Sequence, residues 1–570
     1  MNHKKIIFAL NLALLLSSVG CFNKSTSKGK FTLAKASYYE PVRKGWDFEA
    51  QEKAIFQYGY YSNEPMIPYI PLDEALTYLF YGTTINVEYE GSIGTYYVGD
   101  EDMTFIVDAS NDVITAKNYS LMNLFSLKYD TPLGMIDEES TTAYTKNDKT
   151  TYSSEVDVVF NLRQYGLDII HYQGDLFIPF AVVNYITFNN ALWSSVVFNG
   201  KAFYLQDMIS GASDLNYTSN GYNRLIYNNT SLRDKGKSKK FIEYNYQALM
   251  FNLDHFYGFN DQRFVPFNDY LLNNQPQIVK DLKDKNETTY CRAVEKLIET
   301  VIGDCHTNTG NTASVFSVGS YSMGRYTSER SIELSNNAYD CYGRRGNTSI
   351  KPNYVRYNGN TAIVSFDGFY HAGVKFTPKN IDNYFEDDSF ALFHRSLKNI
   401  DARGDIENVI FDVTCNGGGD TNALIPMLGF LTKDVTLKVY NPLNKQTGTL
   451  VYNIDTNLDG VYDDDDCYAG KYNFYVLTSS FSFSCANAFP MACKQNNAAK
   501  IIGEQSGGGA CVVYYSATPD GKTFRISGNM RFCEFNNSEN HFDAGIPVDY
   551  ELSRDYFYND SYLNNFVNNL

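Results

Sequence analysis

From Phe31 to about Tyr227 the chain alternates apolar and polar residues over short runs such as "TINVEYEG", "TFIVDAS" and "SSVVFNGKAFYL", each bounded by Gly, Asn or Asp. β-Branched and aromatic residues at every second position predict half-buried strands. Two segments of this region echo each other, "MIPYIPLDEALTYL" and "DLFIPFAVVNYI": an extended Ile-Pro stretch leads into an apolar run of helical spacing. The basic stretch "RDKGKSKK", Arg233 to Lys240, reads as a solvated linker, and the period changes after it. "YNYQALMFNLDHFYGF" and "TTYCRAVEKLIETVIG" repeat apolar residues three and four apart and predict helices. From Tyr354 onward "TAIVSFDGF", "NVIFDVT", "NFYVLTSS" and "AKIIGEQ" predict strands, with helices at "TNALIPMLGFL" and after Ser484. Strands separated by helices predict a largely parallel sheet with its working loops at the strand C-termini. The pattern divides the chain into an α+β N-terminal domain over residues 31–232 and an α/β domain over residues 241–570.

Composition narrows the function. A hydrophobic share of 44% against 20% charged residues describes a chain that buries large cores, and a formal charge of −17 excludes a nucleic-acid partner, which needs a basic face. The N-terminus reads as an address: Lys4 and Lys5 precede the apolar run Ile6 to Leu16, and "SSVGC" ends on Cys21. The run is too short for a permanent membrane span. It resembles a bacterial lipoprotein signal over residues 1–21, which implies lipidation of Cys21, a polar tether over 22–30, a membrane anchor and a place in the cell envelope outside the cytoplasm. A plain secretory signal is the alternative, and either one exports the protein. The other nine cysteines lie between Cys291 and Cys533, an odd number that leaves at least one thiol outside intrachain pairing.

Three strand-end or turn segments carry candidate chemistry. In "VIFDVTCNGGGDTNAL" a buried strand ends in Gly417, Gly418 and Gly419 before a helix. Glycines there turn backbone N–H groups into a concavity that suits a phosphate or a developing oxyanion. Asp420 and Thr421 follow where a phosphate loop has its lysine and hydroxyl, which favours the oxyanion. In "FSFSCANAFP" a serine at a helix start has its oxygen near the positive end of the helix dipole, although Ser482 or Ser484 can equally serve as a helix cap. In "GDCHTNTG" His306 follows an amphipathic helix.

Together "GDCHT", "VIFDVTCNGGG", "YVLTSSFSFSCANAFP" and "AKIIGEQSGGGA" resemble, in order and spacing, the motifs of the tail-specific, or C-terminal-processing, serine protease family, in its tricorn-like branch, from about Tyr244 to the C-terminus. The resemblance implies a spiral β-β-α core of the crotonase/ClpP kind. It also implies a nucleophile five and six residues before the Phe-Pro pair, which selects Ser484, and a histidine base, His306, since the turn "GEQSGGGA" has no lysine and Lys494 and Lys500 come too early. Asp543 in "HFDAGIPVDY" is the nearest match to the carboxylate that orients the base; His541 stands beside it as a competing base, and Cys305 occupies a position where tricorn has a serine. The implied oxyanion hole joins the N–H of Cys485 with that of Gly417 or Gly418. Residues 307–353 are too few for the peptide-gripping PDZ module of many relatives, which leaves substrate recognition to the N-terminal domain or the cleft. The two Ile-Pro units resemble those of domains found beside copper amine oxidases in bacterial surface proteins, with no copper chemistry implied.

"DTNLDGVYDDDD" fits the spacing of a twelve-residue calcium loop, with Asp455, Asn457, Asp459, the Val461 carbonyl, Asp463 and Asp466 as oxygen ligands. The pattern predicts a structural calcium ion, with an acidic surface hairpin as the alternative, while catalysis needs no cofactor. The whole reads as an exported, lipid-anchored serine endopeptidase acting on proteins or peptides. A catalytically inactive relative and a surface lipoprotein that binds ligands through its N-terminal half are the alternatives.

Overall fold

The computed structural model describes residues 29–570 except 45–46, 100–102, 125–138, 148, 207–220, 229, 234–235, 265, 311–312, 318–325 and 347–354. Cys21 and the segment 1–28 lie outside the described residues, as does part of the basic stretch.

The N-terminal region builds two sheets. Strands β1 (Phe31–Lys44), β2 (Asp47–Tyr61) and β3 (Glu64–Pro71) are followed by helix α1 (Leu72–Leu79). The strands β4 (Ile85–Glu90), β5 (Ile93–Val98), β6 (Met103–Asp108) and β7 (Val113–Lys117) come next, then the short β8 (Thr145–Lys146) and β9 (Thr151–Tyr152) and strand β10 (Val158–Asn161). β11 (Ile170–Tyr172) and β12 (Asp175–Pro179) lead into helix α2 (Phe180–Ile186), and β13 (Ser195–Phe198) and β14 (Phe203–Gln206) form a hairpin. One sheet has the order β11-β12-β3-β2-β1-β14-β13 and the other β10-β7-β6-β5-β4. The two Ile-Pro segments are the strand-helix units β3–α1 and β12–α2, and their strands pair antiparallel with Ile178 opposite Ile70. In both, proline closes the strand and precedes the helix, where its missing N–H costs nothing.

Helix α3 (Lys239–Phe256) opens on Ser238, whose hydroxyl accepts from the Phe241 N–H. Helix α4 (Glu287–Lys296) runs on into a π-helical turn, Leu297–Ile302. These helices bury their apolar faces in the core cluster that also holds the N-terminal strands, so the core does not divide at the boundary expected between residues 232 and 241. The basic stretch departs from a solvated linker at one residue, while Gly236, Lys239 and Lys240 are exposed. Lys237 is buried, 2.7 Å from Asp520 and 2.6 Å from Glu287.

After β15 (Asn308–Thr309) and helix α5 (Glu329–Arg345) comes the expected α/β sequence: β16 (Val355–Asn358), β17 (Thr361–Ser365), helix α6 (Ser389–Arg403), β18 (Asn408–Asp412) and helix α7 (Thr421–Gly429). It continues through the hairpin β19 (Val435–Asn441) and β20 (Gln446–Ile454), then β21 (Asn473–Thr478), helix α8 (Cys485–Gln495) and β22 (Lys500–Gly503). β23 (Cys511–Ala517), β24 (Thr523–Glu534), β25 (Asn537–His541), β26 (Tyr550–Glu551) and helix α9 (Asp560–Val567) complete it. The sheet β16-β17-β18-β21-β22-β26 is parallel apart from its first pair. Alternate residues of its strands enter opposite layers: Val409, Phe411, Phe474, Val476 and Ile501 face helices α6, α7 and α8, while Ile410, Tyr475, Leu477 and Ile502 meet Leu563 and Val567 of α9. Both faces are thereby covered, which is why these strands read as continuous apolar runs.

A second, mixed sheet has the path β15-β24-β19-β20-β8, with β23 and β25 on β24 and β9 on β20. β8 and β9 come from the N-terminal region, and Cys511, Tyr514, Ala517, Phe524 and Ile526 of β23 and β24 enter the N-terminal core. Among the described residues no helix is long and apolar enough to cross a membrane. All nine described cysteines are free thiols.

Candidate active site

The C-terminal ends of neighbouring strands β18, β21 and β22 deliver the three glycine- and serine-rich loops side by side. Ser484 is the residue before helix α8, at φ 57° and ψ −121°, and its side chain makes no capping bond. Helices α3, α5, α6 and α7 each begin on a serine or aspartate that does cap. Holding a non-glycine residue at positive φ costs on the order of 1–3 kcal/mol and recurs at functional sites. The turn is braced from both sides. The Ser484 N–H donates to the Gly508 carbonyl at 2.8 Å, and Phe483 N–H donates to the Asn416 carbonyl at 3.2 Å. Ser482 is different: fully buried, its hydroxyl donates to the Val413 carbonyl at 2.7 Å and accepts from Ser479 N–H at 3.0 Å. Ser482 is a structural hydroxyl, and Ser484 is the presented one.

The glycine loop lies against this turn. A Cβ at Gly418, where φ is 110°, would lie 2.6 Å from the Ser484 Cβ and 3.1 Å from the Cys485 nitrogen. Of the two glycines expected to supply an oxyanion donor, Gly418 has its N–H bonded to the Asn416 side-chain oxygen at 2.9 Å. The N–H groups of Gly417 and Cys485 have no hydrogen-bond partner among the described residues. The buried Cys485 thiol donates to the Gly419 carbonyl at 3.1 Å and burial raises its pKa, which keeps it a neutral thiol.

His306 reaches the same place from the other sheet. The π turn ends on Gly303 at φ 52°, Cys305 stands at φ 69°, and β15 pairs with β24 from Asn308 onward. Asp304 accepts from Thr307 N–H at 2.7 Å and fixes the turn. The imidazole stands edge-on to the Phe483 ring with 4.7 Å between centroids, and a Cβ at Gly509 would lie 3.1 Å from its Cε1. His306 and Ser484 are thus linked through Phe483, with no hydrogen bond between them in this structure. The ring is buried and neither nitrogen has a partner. Burial pushes its pKa down to about 4, against the attraction of Asp304 and Asp543 and with help from the charges of Arg525 and Arg330. The ring is therefore neutral at pH 7, as a base must be.

Asp543 is close enough to act on the charge of His306, yet its Oδ2 accepts from Arg330 Nη1 at 2.7 Å and no bond joins it to the imidazole. His541 is held by Gln262 at 2.9 Å and by the Phe259 ring, and its Nδ1 accepts from Asp543 N–H at 3.2 Å. Lys494 is paired with Asp549 at 2.8 Å. It lines, with Tyr472, Lys500 and Tyr550, a groove of about 810 Å³ at the opposite end of β21 and β22.

Sequence reasoning missed Arg330, for which no motif gave a signal, and the two asparagines that shape the loops. Asn416 stands in the glycine motif itself. Asn487 accepts from Ser506 Oγ at 2.7 Å and donates to the Phe542 carbonyl at 3.0 Å, tying α8 to the loops after β22 and β25. In the expected calcium loop Asp455 accepts from Asp459 and Gly460 N–H groups, Asn457 from Asp459, Asp459 from Val461, Asp463 from Asp465, and Asp466 from Thr456, Asn457 and Asp463. These side chains order the backbone of the loop. No group of three His, Cys, Asp or Glu side chains that would hold a metal ion occurs among the described residues.

A serine on a tight turn, a neutral imidazole packed on the residue before it and unpaired amides at a glycine loop thus meet at these strand ends. Residues 380–552 match the model of Peptidase family S41. That segment, under a third of the chain, is similar to Peptidase family S41, the tail-specific, C-terminal-processing serine peptidases. Distant likenesses in overall shape include a candidate peptidase from Parabacteroides merdae ATCC 43184, 19% identical over 55% of this chain and 89% of that one, with a TM-score of 0.38. A lipoprotein from Streptococcus agalactiae is 14% identical over 57% and 96%, TM-score 0.35. The photosystem II D1 C-terminal processing protease is 13% identical over 56% and 94%, TM-score 0.34. A search among curated proteins returns no match.

Proposed function

We propose that the chain is an exported serine endopeptidase that cleaves proteins or peptides through Ser484 and His306, on a spiral β-β-α core. Ser484 Oγ attacks the scissile carbonyl carbon while His306 takes the hydroxyl proton. The oxyanion that forms is met by the N–H groups of Gly417 and Cys485. The C–N bond then breaks, His306 returns the proton to the leaving amine, and water, deprotonated by the same imidazole, releases the acyl group from Ser484. No metal or cofactor takes part in these steps. Anchoring through a lipid on Cys21 is part of the same proposal and is supported by the sequence of residues 1–21.

The observation that carries the proposal is the backbone of Ser484: positive φ, no capping bond, and the buried, unpartnered imidazole of His306 packed on the residue before it. A fluorophosphonate probe tests it. Labelling is expected in the wild type and in Ser482→Ala and is lost in Ser484→Ala; a probe that labels Ser484→Ala as well as the wild type sinks the assignment.

A further inference from the structure

Arg330, in the first turn of α5, touches both loops that flank the site. Its Nη1 donates to Asp543 Oδ2 at 2.7 Å, and its Nη2 donates to the carbonyl of Asp543 and lies 3.4 Å from the carbonyl of Gly507. The pair is largely buried, with side-chain exposures of 31% for Arg330 and 12% for Asp543. Gly507 and its neighbour brace the nucleophile turn, since Gly507 N–H donates to the Ser482 carbonyl and the Gly508 carbonyl accepts from Ser484, both at 2.8 Å. One guanidinium therefore fastens α5 to the loop under the Ser484 turn and to a carboxylate whose charge acts on His306.

The base meanwhile has no orienting partner. Both nitrogens of His306 are buried and unbonded, a condition that costs about 1–3 kcal/mol for each unsatisfied polar group. Asp543 would relieve it by accepting one ring N–H, but its outer oxygen is held by Arg330, and its other oxygen is 3.4 Å from the Ala510 nitrogen. The charged groups that face the imidazole are Asp304 from its own turn, Asp543 from the loop after β25, Arg525 from β24 and Arg330 from α5.

We infer that Arg330 is a positioning residue that holds Asp543 off His306, so that the base becomes oriented only when the Arg330–Asp543 ion pair opens. The inference rests on the Ser484–His306 assignment for its catalytic meaning. Opening the pair transfers a charge-assisted hydrogen bond from guanidinium to imidazole and frees the Gly507 loop from α5 in the same movement. A buried carboxylate shared between two donors is a two-state element, and whatever draws α5 away favours the oriented state.

The test follows the imidazole itself, so that it does not depend on turnover. The full chain is labelled with 13C-histidine, the His306 signal is assigned by its loss in His306→Ala, and its titration midpoint is measured in the wild type, Arg330→Met, Asp543→Asn and the double variant. Arg330→Met is expected to raise the midpoint by at least one pH unit, and the same change in the Asp543→Asn background to raise it by less than half as much, because its effect runs through Asp543. Equal shifts in the two backgrounds mean that Arg330 acts only through its own charge and overturn the inference. Should Arg330→Met fail to fold, Arg330→Lys loses the fork that bonds carboxylate and carbonyl together. A smaller rise, again dependent on Asp543, is expected, and no rise overturns the inference. Failure of the peptidase assignment would be seen separately, as probe labelling that survives Ser484→Ala.

Discussion

The His306 imidazole meets the Phe483 ring at 4.7 Å between centroids and an angle of 61°, and Phe483 is the residue immediately before Ser484. The proposed base and nucleophile are therefore coupled by packing, through one aromatic side chain that is 6% exposed and also lies under Gly509. Phe483→Ala leaves a cavity beside the imidazole, and a loss of about 3–5 kcal/mol is expected from denaturant unfolding. Phe483→Leu keeps most of the volume and should lose about 1–2 kcal/mol while retaining more turnover than the alanine variant. An alanine variant that folds and turns over at the wild-type rate would remove Phe483 from the arrangement.

The pH profile carries the next test. Burial places the His306 midpoint in the folded protein at about 4, against about 6.5 for an exposed imidazole. The acid limb of kcat/KM for the free enzyme should then lie near pH 4, with activity still on its plateau at pH 6. The stability effect has a definite sign. Between pH 6.5 and 4 the unfolded chain takes up the proton and the folded one does not, so the contribution of neutral, buried His306 is present above 6.5 and is lost as pH falls through that window. His255, buried among Phe160, Phe251 and Phe256 and also near 4, adds in the same direction. An acid limb at 6.5 would mean that the imidazole is solvated during turnover.

The strand and helix pattern was legible wherever burial imposed a period. "NVIFDVT" and "NFYVLTSS" are two-sided core strands, and the twin Ile-Pro segments are twin units that pair with each other. The candidate residues Ser484 and His306 stood out only as part of an ordered set of motifs, because a serine at a helix start is ordinarily a cap. Three features were not readable. Lys237 looked solvated because its partners, Glu287 and Asp520, are far along the chain. The core crosses the expected domain boundary because β23 and β24, late in sequence, pack on early strands. Arg330 gave no signal, since an ion pair between residues 213 positions apart leaves no local pattern.

Gly418 and Gly417 separate backbone geometry from simple bulk. At Gly418 a methyl group would lie 2.6 Å from the Ser484 Cβ on a backbone at φ 110°, whereas at Gly417 it would meet only the Phe481 ring, at 3.3 Å. Gly418→Ala must displace the Ser484 turn, and a loss of about 100-fold or more in kcat is expected, comparable with losing an oxyanion donor. Gly417→Ala keeps its N–H and should remain within about tenfold of the wild type, a change of roughly 1.4 kcal/mol in barrier. Equal losses in the two variants would contradict the close approach at Gly418.

Strain at Ser484 predicts opposite stability changes for two serines two residues apart. Ser482 is fully buried with its hydroxyl bonded to Val413 and Ser479, so Ser482→Ala leaves the Ser479 amide without its partner and the Val413 carbonyl with Asn416 N–H alone. A loss of about 1–3 kcal/mol is expected, with probe labelling retained. Ser484 makes no side-chain bond and sits at φ 57°. Ser484→Gly removes the Cβ that makes that conformation costly, and the gain exceeds the entropy glycine adds to the unfolded chain, which is roughly 0.5–1 kcal/mol. Glycine at 484 should therefore stabilise the fold by about 1 kcal/mol in denaturant titration while abolishing labelling. A Ser484→Gly protein less stable than the wild type would show that the positive φ is not held against a preference for relaxation, and that the turn is shaped for something other than presenting a hydroxyl.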